Sequence, residues 1–114
     1  MHELATVTYI IDTVEKICEE QQLTQVESIT VQIGEVSAII PEYIVDFFNW
    51  SKKESKYLKD TEMIIENLEA ITYCQDCKKT YPTVQYGKEC PYCKSGNTFL
   101  VTGNEYVIKE IVAG

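Results

Sequence analysis

Arginine is absent from this chain of 114 residues: its ten basic side chains are all lysine, set against eighteen carboxylates for a formal charge of −8. A protein that tracks a phosphate backbone gathers lysine and arginine on one face and reads bases with arginine's bidentate fork. The missing arginine and the acidic balance together argue against nucleic acid as a partner. Long apolar runs are missing too. None approaches the roughly 18 consecutive apolar residues of a membrane-spanning helix. The first twenty positions interleave Glu3, Asp12, Glu15, Glu19 and Glu20 with apolar residues, without the basic opening of an export signal. We therefore expect a cytoplasmic chain with no membrane partner. Internal repeats and low-complexity tracts are lacking as well. Histidine is represented by His2 alone, which leaves no convincing acid–base constellation for a metalloenzyme and predicts a protein that is not an enzyme.

What is present suits a small globular fold, since 45% of the residues are hydrophobic and can supply a core. Leu4, Val7, Ile11, Val14 and Cys18 recur at helical spacing with Ile10 and Ile17 flanking, and Asp12, Glu15, Lys16 and Glu19 fall opposite, which predicts an amphipathic helix over about 4–21. On that stripe Cys18 reads as a small buried hydrophobe. The stretch "VESITVQIGE" alternates Ile29, Val31 and Ile33 with Ser28, Thr30 and Gln32, the pattern of a strand with one buried face, until Gly34 breaks it. Pro41 is suited to a first helical position, followed by Glu42 in the first turn and by Ile44, Val45, Phe47 and Phe48, so a second helix is expected over about 41–56. "TEMIIENLEA" and "NEYVIKEIVAG" read as two further strands. These elements predict an α+β fold: a three-stranded, largely antiparallel sheet with two helices, residues 1–70 and 104–114, and an inserted cysteine-bearing subdomain, residues 71–103.

The insert carries "CQDC" at 74–77 and "CPYC" at 90–93, with twelve residues between the pairs. Two residues between cysteines let one tight turn aim both sulfurs at a point, and two such turns supply a tetrahedron of thiolates suited to Zn²⁺. The spacer has room for two short strands and a turn. Disulfides would need an oxidising compartment, and a redox pair would be expected singly at a strand-to-helix junction. A structural zinc at Cys74, Cys77, Cys90 and Cys93 is therefore expected, contributing roughly 10–16 kcal/mol to the folding of such a module. A closed four-cysteine site offers no open position for hydrolytic water. The nucleobase deaminase pattern fails as well, because Leu4 stands where its Glu would be needed and Pro91 lies inside the cysteine pair. Residues 74–94 hold four lysines against two carboxylates, a balance of +2 that suits a −2 zinc–thiolate centre, whereas the remainder carries −10.

His2 acquires meaning from its neighbours. A bulky second residue is expected to keep Met1 in place, and the Met1 amine, the His2 amide and the His2 imidazole then close successive five- and six-membered chelate rings, with the Glu3 amide next in line. Nitrogen donors in a plane suit Ni²⁺ or Cu²⁺. A zinc-ribbon adaptor with no nickel role would account for the cysteines but not for "MHE".

"MHE" leading into a helix, a strand ending "IGEVSAIIPE", and two cysteine pairs followed by "GNEYVIKEI" together resemble the HypA/HybF family of hydrogenase nickel-insertion accessory proteins over essentially the whole chain. The resemblance implies a nickel metallochaperone that binds Ni²⁺ transiently at Met1, His2 and Glu3 and Zn²⁺ structurally at the four cysteines. It implies as partners a maturation GTPase of the HypB type and the hydrogenase large-subunit precursor, and, since some members serve urease, urease accessory proteins. Two departures stand out. Where some relatives place an extra acidic nickel contributor this chain has Ile39 and Ile40, which leaves Glu35 or Glu42 to take that part. Where some carry a histidine beside a cysteine pair it has Lys78 and Lys94, so a histidine-driven rearrangement of the zinc site is not expected.

Overall fold

The computed structural model describes residues 2–113, and of His2 the backbone alone. Met1 and the imidazole of His2, both expected nickel donors, lie outside the described residues. The chain divides into two compact units, one made of residues 1–32, 39–66 and 107–114, the other of residues 33–38 and 67–106.

In the first unit helix α1 spans His2–Gln21 and helix α2 spans Pro41–Ser51. The core side of α1 is set by Val7, Ile10, Val14 and Cys18, all fully buried. Leu4 is exposed, so the buried stripe runs through Ile10 and not through Leu4 and Ile11. Helix α2 buries Ile44 and Phe48 and ends sooner than expected. Continuing the helical repeat would bring Ser51, Lys52 and Ser55 onto the core side, and none of these offers apolar surface to bury. The chain instead tightens into a 3₁₀ turn, Lys52–Glu54, and leaves extended at Ser55. Two hydrogen bonds hold this exit: Ser55 Oγ donates to Glu15 Oε2 at 2.7 Å, and Lys52 Nζ donates to the Thr61 carbonyl at 2.8 Å.

The principal sheet has the order β2-β1-β6, with β1 Val26–Gly34 in the centre, β2 Glu62–Leu68 on one edge and β6 Tyr106–Ala113 on the other. It is a mixed sheet. The start of β1 lies beside the chain entering β2, where Val26 N donates to the Tyr57 carbonyl at 3.2 Å, and Gln32 near its end reaches Glu66 near the end of β2. Strands β1 and β2 therefore run in the same direction, as a crossover through α2 allows. The expected antiparallel pairing is confined to β1 and β6, whose junction is marked by Gly34 N donating to the Glu105 carbonyl at 2.8 Å. As the central strand, β1 buries Thr30 as well as Ile29 and Val31, so its cover is two-sided.

The second unit contains a three-stranded antiparallel sheet of order β4-β3-β5, with β3 Ile71–Cys74 in the centre, β4 Thr80–Pro82 on one edge and β5 Thr98–Thr102 on the other. Between the cysteine pairs lie one strand and a single helical turn, Thr83–Tyr86, in place of the two strands expected. Pro82 cannot donate to a ladder and closes β4, and Gly87, at φ +66°, ends the turn. Residues 33–38 belong to this unit for a visible reason. Glu35 N donates to the Leu68 carbonyl and Val36 N to the Gly103 carbonyl, each at 2.9 Å, beside the Gly34 bond to Glu105. The approach is close: a Cβ on Gly34 would lie 2.2 Å from the Gly103 carbonyl oxygen.

Candidate metal centre

Each cysteine pair sits in the same backbone turn. At the first, Lys78 N donates to the Cys74 carbonyl at 2.8 Å and Cys74 N to the Lys79 carbonyl at 2.9 Å; at the second, Lys94 N donates to the Cys90 carbonyl at 2.9 Å and Cys90 N to the Ser95 carbonyl at 3.0 Å. Both turns close through a left-handed residue, Lys78 at φ 62° and Lys94 at φ 64°. An L-residue pays roughly 1–2 kcal/mol for that conformation, so the repetition at equivalent places marks a turn imposed by what it presents. What it presents is sulfur.

The four Sγ atoms lie within 4.8 Å of one another, and Cys74–Cys93 and Cys77–Cys90 each stand 3.5 Å apart. Thiolates about 2.3 Å from a divalent ion at the centre of a tetrahedron would have sulfur–sulfur edges of about 3.8 Å. The donor set therefore fits such an ion. Cys74 and Cys90 are fully buried, Cys77 is half-buried and Cys93 is exposed. Among the described residues no other group of three or more metal-ligating side chains gathers in one place.

Thiols this close compete for their protons. Burial raises Cys90, but the Cys93 and Tyr92 amides and the neighbouring sulfurs outweigh it and bring the thiol down to about 7. The Ser95 amide lowers Cys93, yet burial and the other three sulfurs prevail and push it up to about 12. Cys77 is raised, first by burial and then by Cys90. A crowded set of this kind ionises fully only with a cation in its midst.

Side chains that the sequence reading did not single out join the two turns. The Asp76 carboxylate accepts from the Ser95 hydroxyl and, at 3.2 Å, from the Asn97 amide nitrogen. Those bonds hold its carboxyl below the usual carboxylate range. Gln75 N donates to the Asn97 carbonyl at 3.0 Å, and Lys79 Nζ lies 4.8 Å from the centre of the Tyr92 ring. The available signal was Asp76 inside "CQDC" and "KSGN" after the second pair, polar residues of the kind that bond to nearby backbone in turns. Beneath the sulfurs the buried Tyr81 donates its hydroxyl to the Gly87 carbonyl at 3.0 Å.

Of the residues expected at the nickel end, Glu3 is described. Its Oε2 accepts from the backbone N of Ile40 at 3.1 Å, at the start of α2. Of the two acidic residues considered as substitutes, Glu35 accepts from Ala70 N at 2.9 Å, and Glu42 is exposed in the first turn of α2.

The sequence pattern of the family described as "Hydrogenase/urease nickel incorporation, metallochaperone, hypA" matches residues 1–113. The hydrogenase maturation factor HypA of a Picosynechococcus strain is 26% identical over 111 residues, 97% of each chain, and that of Actinobacillus succinogenes is 30% identical over 111 residues, again 97% of each. The solution structure of the Ni metallochaperone HypA from Helicobacter pylori superposes with a TM-score of 0.74 at 26% identity, covering 97% of this chain and 96% of that one. A match along the whole length, with the four sulfurs converging where the motif spacing placed them, shows that the chain belongs to the HypA family of hydrogenase nickel-incorporation metallochaperones, proteins that carry metal and do not catalyse a reaction.

Proposed function

We propose that this chain carries Ni²⁺ at its N-terminus and holds Zn²⁺ structurally at Cys74, Cys77, Cys90 and Cys93. The observation that carries the nickel assignment is the full-length family match to a chain with a single imidazole, His2. The Met1 amine, the His2 amide and imidazole, and the Glu3 amide are the donors. A location at the first turn of α1 suits them, because first-turn amides of any helix lie outside the i→i−4 ladder. Zinc at the cysteines would stabilise residues 71–103 as a ribbon domain, apart from the nickel-binding domain of residues 1–70 and 104–114.

The cargo must leave as well as bind. A site of one imidazole and main-chain nitrogens encloses the ion less completely than four converging thiolates, and a planar nitrogen set leaves axial approaches open to an incoming ligand. Binding through backbone amides also releases protons, so acidification favours release, and an imidazole in ordinary surroundings protonates below about 6.5. The recipient we assign is the precursor of a [NiFe]-hydrogenase large subunit, reached together with a maturation GTPase of the HypB type; urease accessory proteins are a second class of recipient, a reading supported only by the mention of urease nickel incorporation in the family description. None of the five cysteines is paired in a disulfide, and cysteines used as metal ligands suit a reducing cytoplasm. No described helix is long and apolar enough to cross a membrane.

Nickel titration of untagged, zinc-loaded protein by calorimetry tests the assignment. Tight binding is expected in the wild type and lost in His2→Ala, and it is also lost when a short N-terminal extension converts the Met1 amine into an amide. Zinc content should be unchanged in both. Wild-type affinity in His2→Ala would overturn the nickel site.

A further inference from the structure

The side chain of Glu3 already has a backbone partner on another helix, thirty-seven residues away in sequence: Oε2 accepts the Ile40 amide at 3.1 Å. Ile40 is the residue that caps α2, extended at φ −93° and ψ 110°, with no side-chain cap of its own. Its carbonyl begins the helix, accepting from Tyr43 N at 3.0 Å and Ile44 N at 3.3 Å. A carboxylate at this place also meets the positive end of the helix dipole, a favourable contact for an anion. Apolar Ile39 and Ile40 occupy this part of the chain, so the contact to Glu3 is made by main chain.

We infer that Glu3 is a positioning residue for nickel: its carboxylate fastens the first turn of α1 to the start of α2, and nickel takes only the Glu3 main-chain nitrogen. The inference rests on the N-terminal nickel reading above. Three adjacent donors at a chain end lose conformational freedom when they close around an ion. A tether at the third residue removes part of that freedom beforehand and holds the amides on one side of the turn. Metal ligation by Oε2 would release the Ile40 amide, so the bond commits that oxygen to the clamp, and Glu3→Gln and Glu3→Ala test whether the carboxylate also ligates. Partners that orient metal ligands in this manner typically change affinity by about 10–100-fold when removed.

The role as clamp and the role as ligand separate on one substitution. Glutamine keeps an acceptor oxygen for Ile40 N but removes the negative charge that a nickel-bound carboxylate would supply; alanine removes both. Calorimetric titration with Ni²⁺ and the absorption spectrum of the nickel-loaded protein should be measured for wild type, Glu3→Gln, Glu3→Ala and His2→Ala, all untagged and zinc-loaded. Glu3→Gln is expected to bind nickel within about twofold of wild type, and Glu3→Ala about tenfold more weakly, both with the wild-type band position. The band is the readout that mere loss of stability would not move. Equal weakening in Gln and Ala, or a shifted band in Gln, would make the carboxylate a ligand and overturn the inference. Wild-type affinity in Glu3→Ala would overturn it too, by showing that the contact does nothing for nickel. If His2→Ala binds as tightly as wild type, the N-terminal nickel reading itself fails, which is a separate result.

Discussion

The two units reach compactness by different routes. In the first, Val7, Ile10, Val14 and Cys18 of α1, Ile29 and Val31 of β1, Ile44 and Phe48 of α2, and Leu58 are all fully withdrawn from water. In the second, the cluster around the cysteine turns consists of Cys74, Tyr81 and Cys90 with Cys77 packed against it, so most of its members are sulfur donors for metal. Large apolar side chains of the same unit stay outside: Val84, Tyr92, Phe99 and Val101 are all exposed. Burial of a full aliphatic side chain stabilises by about 1.5–3 kcal/mol, a term available many times over in the first unit and seldom in the second. Small modules that cannot bury enough apolar surface need a cross-link or a metal. The contrast predicts a division of dependence: apolar packing is expected to hold the first unit by itself, and the second is expected to depend on a metal at its four thiolates.

The harshest way to break this comparison is to take the metal away. Under a strong chelator, or in Cys74→Ala, the proposed zinc contribution of roughly 10 kcal/mol should be lost, comparable to the whole stability of an ordinary domain. Amide exchange should become fast throughout residues 71–102 while the core amides of α1, α2 and β1 stay protected. A second unit that keeps its protection without metal would show that Tyr81 and the hydrogen bonds between the turns suffice, and the contrast would collapse.

The converse perturbation is Phe48→Ala. Phe48 is fully buried, with Lys52 Nζ 5.7 Å from its ring centre. Truncation should cost about 3–5 kcal/mol, seen as an earlier denaturant midpoint for the helical signal. Zinc content and the protection of residues 71–102 in native buffer should stay at wild-type levels. Loss of zinc from this variant would mean that the second unit draws on the first unit's core.

The same division explains how much could be read from the sequence. The cysteine turns were legible because a metal site is specified by a few residues at fixed spacing, and Cys74, Cys77, Cys90 and Cys93 do converge. Helix α1 was legible through its 3–4 spacing, although that spacing admitted either Leu4 and Ile11 or Ile10 in the buried stripe, and only the packed neighbours select Ile10. The early end of α2 was hidden by a lysine-rich segment with no helix breaker, where the deciding factor is the lack of apolar partners at Ser51 and Ser55. The direction of β2 was hidden because an alternating strand reads the same both ways along a ladder. Gly34 gave a partial signal. A glycine closing a strand pattern often marks close backbone approach, but that it meets Gly103, nearly seventy positions on, is a tertiary fact. The contact of Glu3 with the Ile40 amide was not legible at all, since a backbone N–H donor is common to almost every residue and leaves no mark on the one that supplies it.

The smallest expected effect sharpens the comparison inside the first unit, by asking whether charge contributes to its stability beside packing. Lys109 Nζ lies 2.8 Å from Glu66 Oε1, and both side chains are well exposed, at 51% and 42%. The Lys109 hydrogen bond holds the Glu66 carboxyl below its ordinary value, partial burial opposes this, and the Lys109 charge and Gln32 add to the lowering. Glu66 in turn raises Lys109, chiefly through the same hydrogen bond. A depressed carboxylate contributes stability above its unfolded pKa of about 4.3 and loses it as pH falls through the folded value. A raised lysine contributes below its unfolded pKa of about 10.4 and loses it as pH climbs through the folded one. The pair therefore contributes across neutral pH and fails at both ends. Solvent and salt screen so exposed a contact, which places Glu66→Gln below Phe48→Ala by a wide margin. Denaturant midpoints followed by helical circular dichroism, to which α1 and α2 contribute most, should show wild type slightly ahead of Glu66→Gln at pH 7. The gap should narrow in molar salt and close as the solution is acidified below the Glu66 pKa. A gap of constant size at every pH and salt concentration would assign the effect to packing of the side chain, and the first unit would then owe nothing to this ion pair.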